Sequence, residues 1–285
     1  MNGIPYEVAF WQSYFGNKKR RADLFSWSQY DKECHLDNFD IDSYIKNLEC
    51  ENPVIIDLGC ALSYMLSNRI GGIKYNIIYI DPLASFYNKI LKKYKINRPQ
   101  ITFGMVEALS CFYKDDSIDF IHIRNALDHC ANPFLGIIQS LKVLKKGGVL
   151  YLNHFINEAE NEGYRGFHQF NLMKEKENLI IWNESKSINV TDALKDFATV
   201  TTSITPENRL VSVIVKHNNL PDSLFNDKEY SREIVENYFK IIDFFYGLKN
   251  SSNFQIKKLY SNIGHKFMRL LPYSLLNKIK KLASR

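Results

Sequence analysis

Cysteine is scarce and shows no pairing pattern. The five present, Cys34, Cys50, Cys60, Cys111 and Cys130, are odd in number and never stand as CxxC. That argues against a disulfide framework and fits free thiols in a reducing compartment. No apolar run approaches the ~20 residues that cross a bilayer. The opening residues MNGIPYEVAFWQ lack the charged-then-apolar order of a secretory leader, so a cytoplasmic location is expected. Acidic residues are missing from one end. Residues 246–285 carry nine Lys or Arg and no Asp or Glu, so the +6 net charge belongs to this tail, and the remainder holds 28 basic against 31 acidic residues. A nucleic-acid enzyme would carry its basic residues around the cleft, and no DNA or RNA recognition motif is present. With 45% hydrophobic and 24% charged residues in 285, the chain reads as a globular protein of one large domain with appended elements.

The chain is organised around residues 53–66, PVIIDLGCALSYML. Val54, Ile55 and Ile56 fit a buried parallel strand that ends at Asp57 and Gly59. Ser63 and the apolar residues after it are expected to open a helix, whose free N–H groups would face a ligand. A second apolar run, residues 77–80, ends in Asp81, where such folds hold a ribose diol. A dinucleotide site requires G-x-G-x-x-G. The corresponding positions here are Gly59, Ala61 and Tyr64, and a tyrosine at the third would obstruct helix–strand contact. S-adenosylmethionine has no phosphate and does not need that glycine. Its ammonium group needs an acceptor, which Asp57 is placed to supply directly or through water. The competing reading is that Asp57 and Gly59 form only a turn.

Further strands are expected at 101–103, 118–123 and 149–153. Helices are expected at 40–48, 85–94 (Phe86, Ile90 and Leu91 inward) and 133–145, the last followed by Gly147-Gly148. This alternation implies a doubly wound α/β fold with a mostly parallel sheet. Residues 179–182 read as a strand at the edge of an inserted hairpin, and 198–204 with 210–216 as an antiparallel pair. Residues 6–30 read as helical and aromatic, serving either as packing on the sheet or as a lid. The run Lys18, Lys19, Arg20 and Arg21 is either a solvated face or a contact for an anionic acceptor. Residues 232–248 read as a long aromatic helix.

Residues 53–155 resemble a class I S-adenosylmethionine-dependent methyltransferase. The resemblance rests on Asp57-Leu58-Gly59-Cys60-Ala61, Asp81, Glu107-Ala108-Leu109, the stretch Arg124 to His129, and Leu144-Lys145-Lys146-Gly147-Gly148-Val149-Leu150. Met105 departs from it, standing where an Asp often meets the adenine amino group. The resemblance implies a seven-stranded Rossmann-like sheet. It implies S-adenosyl-L-methionine as cofactor, with S-adenosyl-L-homocysteine as product, held by Asp57, Gly59, Cys60, Ala61, Asp81, Pro82, Val106, Glu107 and Asn125. It also implies three parts: an N-terminal helical lid (1–50), the cofactor-binding domain (51–217) with an acceptor-facing insertion at about 156–195, and a basic helical extension (218–285).

The stretch after the fifth strand lies beyond the carboxyl ends of the strands, where the acceptor should sit. His129, His154 and His168 fall there, with Asp128 as an orienter. His168 is the first choice of base from its His-Gln setting, whereas His122 is expected to be buried within its strand. No ligand spacing identifies a metal site. The His168-Gln169-Phe170 segment resembles methyltransferases of bacterial capsule and surface-polysaccharide gene clusters. That implies O-methylation of a small polar acceptor, either a phosphorylated or nucleotide-linked sugar or a phosphoryl (phosphoramidate) derivative. N-methylation of an amino-bearing molecule and a non-catalytic cofactor-binding scaffold are the alternatives. The tail is expected to pack on the body or on a homodimer partner, or to lie on the anionic inner-membrane surface.

Overall fold

The computed structural model describes residues 4–164, 166–221 and 233–240. Helices α1 (Ile4–Gly16), α2 (Lys18–Trp27) and α3 (Ile41–Asn47) precede the first strand, β1 (Ile55–Leu58). The expected single N-terminal helical stretch divides at Asn17, whose side chain caps α2 by accepting from Arg20 N at 3.2 Å. A small hairpin, β2 (Arg69–Ile70) and β3 (Ile73–Lys74), leads to β4 (Ile77–Ile80) and α4 (Ala84–Lys93). Phe86, Ile90 and Leu91 of α4 are buried, as the periodicity required. Then come β5 (Ile118–Arg124), α5 (Pro133–Val143) and β6 (Leu144–Phe155). The insertion holds α6 (Glu158–Asn161), β7 (Asn171–Glu175), β8 (Asn178–Trp182), β9 (Ser187–Asn189) and α7 (Val190–Leu194), before the closing pair β10 (Ala198–Ile204) and β11 (Arg209–Lys216).

The main sheet runs β10-β11-β6-β5-β1-β4. Strands β4, β1, β5 and β6 are parallel, while β11 is antiparallel to both β6 and β10. This is the expected doubly wound, mostly parallel α/β sheet. All four residues of β1 are buried, as strands covered on both faces require. Alternate side chains divide the core. Ile55, Phe120 and Tyr151 face the N-terminal helices and α4. Ile56, Ile121 and Leu152 face α5 and the insertion.

Three expectations are corrected. No helix follows Gly59; residues 59–68 form turns that pass into the β2–β3 hairpin. Ala61 and Tyr64 take left-handed backbone angles (φ 45° and 48°), which a helix cannot contain. Tyr64 is fully buried, its ring 4.7 Å from that of Tyr79 and 5.9 Å from that of Tyr30, and its hydroxyl donates to Pro99 O at 2.6 Å. This aromatic cluster and the N-terminal helices cover the sheet on that side. Second, the strand expected at 101–103 shrinks to a single parallel bridge, Ile80 to Thr102, so among the described residues the sheet has six strands and not seven. The chain is drawn against β4 at Gly104, where an added Cβ would stand 2.6 Å from Ile80 Cγ2. Third, residues 179–182 are not an edge. As β8 they form the middle strand of a three-stranded antiparallel sheet with β7 and β9, which buries Leu179 and Ile181.

All five cysteines are free. Residues 233–240 are helical and bury Ile234 and Tyr238. The remainder of the helix expected over 232–248, and the basic tail, lie outside the described residues. No helix among the described residues is long and apolar enough to cross a membrane.

Candidate active site

A cavity of ≈ 830 Å³ opens at the carboxyl ends of β1, β4 and β5. That volume lies within the ~300–1,000 Å³ usual for ligand pockets. Phe10, Trp11 and Tyr14 of α1 line one wall, and Phe167 and His168 of the insertion line another.

Gly59 sits at the floor with φ +72°. Its N–H and that of Cys60 donate to Ile80 O at 2.8 and 3.3 Å, pinning the turn to the end of β4. Asp81 lies beside it. Its Oδ1 accepts from Leu83 N at 2.8 Å and its Oδ2 from Ala61 N at 3.0 Å. Burial nevertheless pushes the carboxyl up to about 7. Glu107 behaves alike: its carboxylate accepts from Asn132 N at 2.8 Å, and burial pushes it up to about 7. Ala61, Pro82, Val106 and Asn125 also line the cavity. Each carboxylate oxygen can accept more than one hydrogen bond, so Asp81 and Glu107 on this wall could also accept from a ribose diol and an adenine amino group, and these residues fit an adenosyl ligand. Met105 is buried at the same wall and offers an apolar contact.

Asp57 and Cys60 are not among the lining residues. Asp57 is buried beneath the turn, with Oδ1 2.7 Å from His122 Nδ1 and Oδ2 accepting from Leu66 N at 3.3 Å. Asp57 thus forms an internal pair with His122 and does not itself line the cavity. His122 is buried, as expected, and stacks on Tyr151 at 5.8 Å. The Cys60 thiol is buried, which raises its pKa well above the ordinary value.

Asp128 and His129 lie in a one-turn 3₁₀ segment after β5. The insertion folds back so that His168 Nδ1 stands 2.7 Å from Asp128 Oδ2, and Gln169 N donates to Asp128 O at 3.2 Å. His129 Nε2 lies 3.5 Å from the same Oδ2, and the two imidazole centroids are 4.6 Å apart. Burial alone would raise the Asp128 carboxyl, but His129, and His168 through its hydrogen bond, outweigh it and hold it low. Burial alone would lower His168, but the hydrogen bond and charge of Asp128 outweigh it and raise it. Asp128 Oδ1 is buried without a partner among the described residues. Asp128, His129 and His168 can each present one ligand atom within 4.8 Å of the others, so this is also where a small divalent cation would fit.

His154 does not join them. It is 2% exposed, off the cavity wall, with both ring nitrogens unpartnered among the described residues, and burial pushes it down to about 3. The alternation of β6 turns it into the sheet opposite Leu210. The Lys18–Arg21 run also stays outside the cavity; Arg21 lies over the Tyr94 ring at 4.4 Å and Arg20 over Tyr14 at 5.6 Å. Sequence reasoning passed over two arginines that do line the cavity, Arg124 and Arg209. The available signal was weak: a cation closing the apolar run of β5, and another opening β11.

Residues 56–152 match a family model described as a methyltransferase domain. This stretch is a methyltransferase domain. Its methyl donor is S-adenosylmethionine, and the protein is an enzyme of that class. The match contains every residue expected to hold the cofactor together with Asp128 and His129, whereas His168 and Arg209 lie beyond it. The methyltransferase is similar to a chain of the Haloferax volcanii complex that contains the Trm112 methyltransferase activator. The identity is 15%, covering 64% of this chain and 90% of that one, with a TM-score of 0.41. It is similar to an S-adenosylmethionine-dependent methyltransferase from Aquifex aeolicus (12% identity, 62% and 90% covered, TM-score 0.38). It is similar also to one from Methanosarcina mazei (18%, 64% and 99%, TM-score 0.36). No curated protein matches the chain.

Proposed function

We propose that the enzyme methylates an oxygen of a small polar acceptor, a sugar or phosphoryl (phosphoramidate) precursor of a capsular or surface polysaccharide. The observation that carries the O-methyl reading is His168 on the cavity wall, paired behind it with the buried Asp128. A sugar hydroxyl is barely ionised at neutral pH and needs a base. Asp128 takes the Nδ1 side of His168, which leaves Nε2 to accept the acceptor's proton. The buried carboxylate then stabilises the imidazolium that forms.

Bound S-adenosylmethionine supplies an activated methyl group on its sulfonium. The chain's own residues do the rest. Asp81 accepts from the ribose and the wall at Val106–Glu107 receives the adenine. The aromatic side chains of α1 close the site to water, so that the acceptor oxygen meets the methyl in line. The surface-polysaccharide assignment is supported by the His168-Gln169-Phe170 resemblance. The basic segment 246–285 would bring the enzyme to an anionic inner-membrane surface or to a second copy.

The test is turnover of ¹³C-methyl-labelled cofactor with phosphorylated and nucleotide-linked sugars, reading the product by NMR. An O-methyl resonance supports the reading, and an N-methyl resonance establishes the amine alternative. The unpartnered Asp128 Oδ1 favours a second reading in which a divalent cation at Asp128, His129 and His168 polarises the acceptor oxygen. Loss of turnover on EDTA treatment, restored by a divalent cation, would select it.

A further inference from the structure

Two guanidiniums line the cavity without a close ion pair among the described residues. Arg209, at the start of β11, is 7% exposed, and its hydrogen bonds go to neutral oxygens. Nε donates to Asn153 Oδ1, and Nη2 donates to Asn125 Oδ1 at 2.8 Å and to Asn153 O at 3.3 Å. The Phe155 ring lies 4.2 Å from its Cζ. Arg124, at the end of β5, lines the same cavity. Neither forms an ion pair with any carboxylate among the described residues. Burial lowers both, and the charge of Arg124 lowers Arg209 further, to about 10. Glu158 and Asp37 oppose this only at a distance. Buried charges are ordinarily paired; Arg209 is buried and Arg124 beside it half-buried, and neither has a carboxylate partner among the described residues.

The support for Arg209 is built at a cost. Asn125 holds a left-handed backbone angle (φ 49°), and its side-chain oxygen accepts from Phe155 N at 3.2 Å as well as from Arg209. Strain of this kind persists where the surroundings enforce it, and it collects at ligand sites. Arg209 also stands away from the cofactor end. Four strand spacings separate β11 from β4, where Asp81 lies, or roughly 19 Å.

We propose that Arg124 and Arg209 form an oxyanion subsite for the acceptor, which therefore carries a phosphate or carboxylate group. The guanidinium forks suit either. This rests on the methyl-transfer reading of the cavity, because it assigns the anion to the acceptor and not to the donor.

The experiment titrates inorganic phosphate and, separately, acetate into the full chain saturated with S-adenosylhomocysteine, by calorimetry. The variants are Arg124→Gln and Arg209→Gln. Arg124→Gln is the primary one, because it removes no hydrogen bond within the described structure. The expected result is saturable binding of at least one anion to the wild type, weakened at least tenfold in Arg124→Gln, with S-adenosylhomocysteine affinity changed less than twofold. Loss of S-adenosylhomocysteine affinity in Arg124→Gln would assign the arginines to the cofactor carboxylate and overturn the proposal. Anion binding that is absent, or equal in wild type and variants, would overturn it while leaving the methyltransferase reading intact. Failure of the wild type to bind S-adenosylhomocysteine at all would overturn both.

Discussion

Replacing Gly59 by alanine tests whether the turn after β1 is shaped for the cofactor. Two separate costs can be read from the structure. Gly59 has φ +72°, a conformation that costs an L-residue about 1–2 kcal/mol. The new Cβ would also stand 2.4 Å from Ala126 Cβ, where ordinary contacts are 3.4–4 Å. One of the two segments must retreat by roughly 1 Å, at an overpacking cost of about 1–3 kcal/mol. The turn cannot yield easily, because Gly59 N and Cys60 N are bonded to Ile80 O. Both costs fall on the folded protein, about 2–5 kcal/mol of stability if the turn keeps its shape; where the turn relaxes to escape them, restoring its shape on binding costs up to the same amount, and S-adenosylhomocysteine affinity should fall by ~30-fold or more. Ala126 leads directly into the Asp128–His129 turn, so kcat should fall too. The double variant Gly59→Ala/Ala126→Gly removes the contact but not the backbone strain, and should recover part of the affinity. Calorimetry on the four proteins of the cycle separates the two costs. Wild-type affinity in Gly59→Ala, or no recovery in the double variant, would refute this account of the turn.

Other outcomes follow from the same geometry. His168→Asn should lower kcat by ~10²–10⁴-fold with little change in cofactor affinity. Because Asp128 raises the pKa of His168, the wild-type rate should fall with decreasing pH through an apparent pKa above 6.5, and the variant should lose that limb; a variant that keeps full rate removes His168 as base. Asp81 and Glu107 titrate at about 7, and a ribose diol donates to the ionised Asp81. S-adenosylhomocysteine affinity should therefore weaken by up to about tenfold per pH unit below 7, with proton release on binding at neutral pH. An unchanged pH profile in Asp81→Asn would contradict this. His154, at about 3 in the folded state, lies below the ordinary 6.5, so the unfolded chain takes up its proton first. Its contribution is present above pH 6.5 and is lost as pH falls towards 3, by at most about 1.4 kcal/mol per unit. His154→Leu should flatten that acid slope and add ~1 kcal/mol at neutral pH by removing two unpartnered nitrogens. Urea melts from pH 4 to 8 would show either result.

The chain by itself determined the order of its strands and helices, because apolar runs and their breaks are local signals. Ile55 to Leu58, Ile77 to Ile80 and Ile118 to Ile123 are largely buried apolar runs, and Pro133 marks the first turn of α5. The motif positions around Gly59, Asp81 and Glu107 were legible for the same reason: each closes or follows such a run. Tertiary structure decided what lies far apart in sequence. Tyr64 removes the helix expected after Gly59 by filling an aromatic pocket with Tyr30 and Tyr79. Asp57 is paired beneath the cavity with His122, which is 65 residues away. His168 was separated from His154 only by folding, which set one against Asp128 and buried the other within the sheet. Arg209 reaches Asn125 across 84 residues of sequence and no local pattern marks it, because its meaning comes from the charge it lacks beside it in space.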